Sequence, residues 1–102
     1  MANRQFPDAV SAVRFAHDVV VRQVGNEALA LKLTAEAAYS LNETAARVAL
    51  LIADGLSVNM IVERLAAEYL QPTDLVSGEV RRLIEDFRAK GLIEPAEESP
   101  ST

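Results

Sequence analysis

Leu41-Asn42-Glu43-Thr44-Ala45-Ala46-Arg47-Val48-Ala49-Leu50-Leu51-Ile52-Ala53-Asp54-Gly55 carries both a start signal and a stop signal for a single helix. Asn42 is a good N-cap, because its side-chain oxygen can accept from the free N–H of Thr44 or Ala45, and Glu43 sets a negative charge at the positive end of the helix dipole. Gly55 suits the left-handed position that closes a helix and folds Leu56 back onto Leu51. The segments before this helix read as strands, and those after it read as helices. The predicted fold class is therefore α+β, with this stretch as the hinge between two halves of one domain.

Upstream, Val19-Val20-Val21-Arg22-Gln23-Val24, then Gly25-Asn26, then Glu27-Ala28-Leu29-Ala30-Leu31-Lys32-Leu33 form a β-branched run, a two-residue turn and a strict alternation. That is a hairpin signal. The Gly-Asn loop pairs Val24 with Glu27, Arg22 with Leu29 and Val20 with Leu31. One face then holds Val20, Val24, Leu29, Leu31 and Leu33, and the other holds Val19, Val21, Gln23, Ala28, Ala30 and Lys32. The leucine face is expected to be the core. Arg22 lies on it, which requires snorkelling at the rim or a register shifted by one. After Thr34-Ala35-Glu36, a third short strand runs from Ala37 to Leu41, with Ala37, Tyr39 and Leu41 on one side and Ala38 and Ser40 on the other. It enters the Asn42 cap directly, so its outer edge is expected to be unpaired.

Downstream, Ser57 caps a second helix to about Tyr69, with Val58, Ile61, Val62, Leu65, Ala66 and Tyr69 as the buried stripe and Leu56 and Ile61 as a hydrophobic staple. The tight corner Gly55-Leu56-Ser57 favours a helix-turn-helix arrangement over an antiparallel bundle. A third helix starts with Thr73 as cap, or at Ser77 because Gly78 weakens the first turn, and stops at Gly91 with Leu92 against Phe87. Its stripe is Val76, Val80, Leu83, Ile84 and Phe87; Arg81 with Glu85, Arg82 with Asp86 and Asp86 with Lys90 are four apart on the wet side. Leu92-Ile93 suggests a short terminal strand. The whole is winged helix-turn-helix-like: a three-stranded antiparallel sheet followed by three helices. Residues 1–13 are expected to be an N-terminal arm, 14–94 the domain, and 95–102, composed of Pro, Glu, Ala, Ser and Thr, a disordered tail.

Composition narrows the function. Among 102 residues half are apolar and none is cysteine, which removes disulfides, thiolate metal sites and a cysteine nucleophile. The first residues lack the basic start and apolar run of a signal peptide, and no apolar run reaches the ~20 residues of a membrane span, so a cytoplasmic protein without membrane contact is expected. The single histidine, His17 beside Asp18, has no nucleophile or second base at a useful spacing, so no catalytic residue is assigned and no enzyme is expected. No carboxylate or histidine cluster has metal-ligand spacing, and no Gly-rich loop offers a phosphate cradle, so neither metal nor cofactor is expected.

Architecture alone would admit a winged-helix DNA-binding regulator. Charge speaks against nucleic acid: the net charge is −5, Arg64 stands against Glu63 and Glu68, and Arg81, Arg82, Arg88 and Lys90 are balanced by Asp74, Glu79, Glu85 and Asp86. A free strand edge beside an apolar helix instead suits an extended peptide, which takes backbone hydrogen bonds from the strand and pockets from the helix. A second alternative is a homodimer through the same edge or by hairpin swapping.

Leu41-Asn42-Glu43-Thr44-Ala45, then Asp54-Gly55, then Ile61, Leu65 and Tyr69, then Val80, Leu83 and Gly91-Leu92-Ile93 together resemble the PqqD family, the RiPP recognition elements of ribosomal peptide modification. The resemblance covers roughly Val19 to Glu94 and implies a non-catalytic adaptor. It implies that a precursor's leader peptide adds as a strand beside the third strand and packs on the third helix, for presentation to a modifying enzyme, a radical SAM enzyme in the coenzyme PQQ pathway or the enzyme of another such pathway. Carried onto this chain, the peptide-binding residues become Ala37, Ala38, Tyr39, Ser40 and Leu41 on the strand, with Val76, Val80, Leu83, Ile84 and Phe87 on the helix. Glu36-Ala37-Ala38-Tyr39 stands where members closest to the PQQ pathway carry a glycine-containing turn.

Overall fold

In the computed structural model, which describes residues 12–96, Asn42 caps the central helix α1 (Glu43–Ala53) by accepting from the Ala45 N–H at 2.9 Å. The stop works as its chemistry requires. Gly55 takes φ 89°, the Gly55 N–H bonds to the Ile52 carbonyl at 2.9 Å, and the Leu56 N–H bonds to the Leu51 carbonyl at 3.2 Å. Ser57 then caps α2 (Val58–Tyr69) by accepting from the Met60 N–H. Helix α3 (Thr73–Ala89) ends in a second stop of the same kind, with Gly91 at φ 74° and the Leu92 N–H on the Phe87 carbonyl at 2.9 Å.

The start of α3 differs from the expectation. Pro72 is the cap residue, Thr73 is already helical, and the Val76 N–H bonds to the Pro72 carbonyl at 3.1 Å. Proline keeps Gln71 out of the helical region while its own fixed φ feeds straight into the first turn, so Ser77 lies inside the helix. There its hydroxyl accepts from Arg81, and the arginines choose partners three residues away: Arg82 with Glu79 and Arg88 with Glu85, while Lys90 with Asp86 keeps the expected spacing.

The sheet is antiparallel in the order β2 (Val19–Val24), β3 (Glu27–Lys32), β4 (Ala37–Leu41). A short strand β1 (Val13–Phe15) precedes it and pairs with β5 (Ile93–Pro95), a separate two-stranded ribbon that joins the two ends of the described chain. The hairpin register is the one the Gly-Asn turn dictates, with Val24 opposite Glu27, Arg22 opposite Leu29 and Val20 opposite Leu31. The face assignment is inverted, however. Ala28 and Ala30 are buried, whereas Val20, Val24, Leu29 and Leu33 are 41%, 62%, 36% and 58% exposed. The reason is the helix that covers this sheet: α1 packs on β3, and its own buried residues Ala45, Ala46 and Ala49 are small, so small residues on the strand let the helix approach closely. Arg22 accordingly sits on a wet face and needs no snorkelling.

Two polar clasps hold this arrangement. Between β3 and β4 a short helical turn, Leu33–Ala35, ends on Glu36 in the left-handed region at φ 52°. The Thr34 hydroxyl and the Lys32 ammonium, the latter at 2.9 Å, both donate to the Asp18 carboxylate and hold its pKa at about 2. On the helical side Arg47 of α1 makes a two-pronged ion pair with Glu68 of α2, at 2.6 and 3.0 Å, which keeps the Glu68 carboxyl below its ordinary value. The core between sheet and helices is aliphatic apart from Phe87. Of the arm expected over 1–13 and the tail expected over 95–102, residues 1–11 and 97–102 lie outside the described residues, while Val13 and Pro95 are paired in the β1–β5 ribbon.

Candidate functional site

Strand β4 is an edge strand, and the hydrogen bonds of its neighbour decide which of its residues are free. The Leu33 N–H bonds to the Asp18 carbonyl, so Glu27, Leu29, Leu31 and Leu33 direct their backbone groups toward β2, leaving Ala28, Ala30 and Lys32 to serve β4. Their partners across the ladder are Leu41, Tyr39 and Ala37. The N–H and C=O of Ala38 and Ser40 therefore point away from the sheet to the open edge. Side chains obey the same alternation: Ala37 and Tyr39 are half-buried and Leu41 buried on the helix side, while Ala38 and Ser40 are exposed on the other.

Helix α3 runs beside this edge in the opposite direction. At one end the Lys90 ammonium lies 5.3 Å from the centre of the Tyr39 ring while it pairs with Asp86 at 2.7 Å. At the other end a cleft of about 320 Å³ opens between Thr44, just past β4, and Tyr69, Leu75, Val76, Glu79 and Val80. Between these ends lies Leu83, half-buried, one helical turn from both Glu79 and Phe87. The result is a trough whose one wall is a row of backbone donors and acceptors and whose other wall is a helix face.

The ten residues singled out from the sequence are distributed unevenly over it. Ala38 and Ser40 supply the free backbone groups, whereas Ala37, Tyr39 and Leu41 bond to β3 and turn their side chains toward the helices. Leu83 flanks the trough and Val76 and Val80 line the cleft floor, but Phe87 is fully enclosed in the core. Ile84 lies on a different side of α3, in a second cleft with Val58, Arg81, Glu85 and Arg88. Thr44, Tyr69, Leu75, Glu79 and Lys90 belong to the trough without having been expected there. One signal for them was legible: Leu75 is apolar yet stands beside, not within, the buried stripe of α3, and it is strongly exposed.

Chemically the site can bond an extended backbone and enclose apolar side chains. His17 is exposed in the turn between β1 and β2, away from the trough, and no cluster of three or more metal-ligating side chains occurs among the described residues.

A family model described as "Coenzyme PQQ synthesis protein D (PqqD)" matches residues 11–93. Among solved structures, TbiB1 in complex with the TbiA(beta) leader peptide is similar at TM-score 0.78 and 22% identity, over 83% of this chain and 99% of that one. Lasso peptide synthetase B1 complexed with the leader peptide is similar at TM-score 0.75 and 21% identity, over 83% and 100%. At these identities the likeness is one of fold. No curated protein matches the sequence.

Proposed function

Because the chain belongs to the PqqD family, we propose that it is a non-catalytic, cytoplasmic adaptor that binds the leader of a ribosomally made precursor peptide and presents it to a modifying enzyme, in PQQ-type or related peptide biosynthesis. The observation that carries this reading is the pair of outward-facing backbone groups at Ala38 and Ser40, set beside an apolar helix face. A leader strand added there gains about 1 kcal/mol net from each main-chain bond, and much of that is offset by the cost of ordering the peptide. Apolar leader side chains entering the cleft at Tyr69, Leu75 and Val76 then supply both the remaining affinity and the selection. Both similar structures hold a leader peptide, which supports the same use of the fold here.

The DNA-binding alternative loses ground on the helix it would need, since Arg82, Arg88 and Lys90 of that region are each ion-paired within the helix or its cap. The test is a pair of proline substitutions. Ser40→Pro and, separately, Ala38→Pro each remove an outward donor without touching a β3 bond, so leader affinity by fluorescence anisotropy should fall about tenfold while the thermal transition stays put. Parental affinity in both folded variants would sink strand addition at this edge. Size measurement with and without leader separates a self-paired edge, which leader would dissociate, from a monomer that simply takes up the peptide.

A further inference from the structure

All three helices end in the same stop. An N–H beyond each helix bonds to the carbonyl five residues back, Leu56 to Leu51, Gln71 to Ala66 and Leu92 to Phe87, and the residue just before that N–H is left-handed. In α1 and α3 the left-handed residue is glycine, Gly55 and Gly91; in α2 it is Leu70, at φ 55°. A leucine in this conformation crowds its Cβ against the following carbonyl, which glycine avoids. Packing does not compensate, since Leu70 is 87% exposed, more than any other large apolar residue among those described.

Its surroundings belong to the trough. Tyr69 and Gln71, the residues on either side of it in the chain, line the cleft, and so does Leu75 in the first turn of α3, itself 63% exposed. This is also the end at which the sheet stops supplying backbone. Beyond Leu41 the chain turns at Asn42 into α1, and Thr44 in the first turn of that helix lines the same cleft. A leader bonded at Ala38 and Ser40 therefore leaves the ladder at Leu41 and continues past Thr44 toward the turn between α2 and α3. There only side chains can hold it.

We infer that Leu70 and Leu75 form an apolar lip that grips the leader just beyond its strand-paired stretch, so that the leaders this chain selects carry a bulky apolar side chain in the segment that runs on past Leu41. The lip rests on the leader-binding function proposed above and extends its footprint beyond the strand. Two side chains are far too small a patch for a second folded protein, which needs about 800 Å² on each side, but they suffice for a peptide that the neighbouring strand already holds. A glycine at position 70 would make a firmer stop and half a lip.

The experiment follows fluorescence anisotropy of the full chain with a labelled synthetic leader of the precursor encoded beside it, intact and shortened residue by residue from either end. The variants are Leu70→Gly, Leu70→Asn and Leu70→Met. Glycine relieves the left-handed stop and should raise the thermal midpoint by about 4–8 °C, with a smaller rise for asparagine. Both should nevertheless weaken leader binding about fivefold, while Leu70→Met keeps the parental affinity. Shortening the leader from one end should cost the parent a similar factor and erase its advantage over Leu70→Gly. A leucine of purely structural role would move stability and leave affinity alone. Parental affinity in both Leu70→Gly and Leu70→Asn would overturn the lip, as would a fivefold gap that persists with every shortened leader that still binds. Failure of the parent to bind the intact leader, or parental binding by Ala38→Pro and Ser40→Pro, strikes the strand-addition reading itself and is separate from the outcome at Leu70.

Discussion

The two walls of the trough are made of different materials. Strand β4 contributes backbone, because Ala38 and Ser40 have small side chains and face their free N–H and C=O outward. Helix α3 contributes only side chains, because its own backbone groups are spent inside the helix. A wall of backbone binds any extended chain alike, and a wall of side chains chooses among them. Within each wall, moreover, neighbouring positions differ in kind: Tyr39 holds the sheet where Ser40 offers itself to a ligand, and Phe87 fills the core where Leu83, one turn away, borders the trough.

The sharpest break in that contrast comes on the helix. Phe87→Ala should cost about 3–5 kcal/mol, a large share of the roughly 5–15 kcal/mol available to a domain of this kind, and lower the urea midpoint accordingly. Leu83→Ala should cost far less stability and instead weaken leader binding several-fold; if the two variants lose stability equally, the division between core and trough on α3 is wrong. On the strand, Tyr39→Pro removes a donor to β3 and leaves the Ala30 carbonyl without it, so it should destabilise by about 1–3 kcal/mol in a denaturant titration, whereas Ser40→Pro should not.

Away from both walls, Gly78 of α3 is exposed, and a Cβ built there meets open space. Gly78→Ala should therefore raise stability by about 0.5–1 kcal/mol, seen as a higher thermal midpoint, with leader affinity unchanged. The smallest effect concerns the clasp before β4. Hydrogen bonds from Thr34 and then Lys32 hold the Asp18 carboxyl at about 2, below its ordinary 3.8, so the unfolded chain takes up this proton first as pH falls. Its contribution is complete above the ordinary value and is lost as pH drops through about 2. Asp18→Asn should flatten this part of the acid-side decline in stability, measured as urea midpoints between about pH 5 and pH 2.

Much of this fold was legible because its punctuation is chemical. Asn42, Gly55, Ser57 and Gly91 each sit where a cap or a left-handed stop requires them, and Gly25-Asn26 set the register of the hairpin. The face of the hairpin was not legible, since alternation tells which residues share a side but not which side a helix will cover. Leucines outweigh alanines on any transfer scale; close approach of an alanine-lined helix reversed that order. Strand β1 was missed because three residues paired with others some eighty positions away leave no local period. The trough was half legible for a related reason. The α3 stripe gives direction but not depth, so Val80 and Phe87 could not be told from Leu83, and Lys90 showed only as a charge on the wet side. The departure at Glu36 has a visible cost as well: it occupies a left-handed conformation that glycine takes without strain.

The β1–β5 ribbon sets Val13 directly opposite Pro95, with the Arg14–Glu94 ion pair at 2.8 Å one step inward. Across an antiparallel pair such positions are only about 5 Å apart. The domain thus enters and leaves through a single doorway, as a cassette does. Spliced into a surface loop of a host enzyme, it would spread the two ends of that loop by no more than an ordinary turn, with little added closure entropy, and β4 would remain open to capture a peptide tethered nearby.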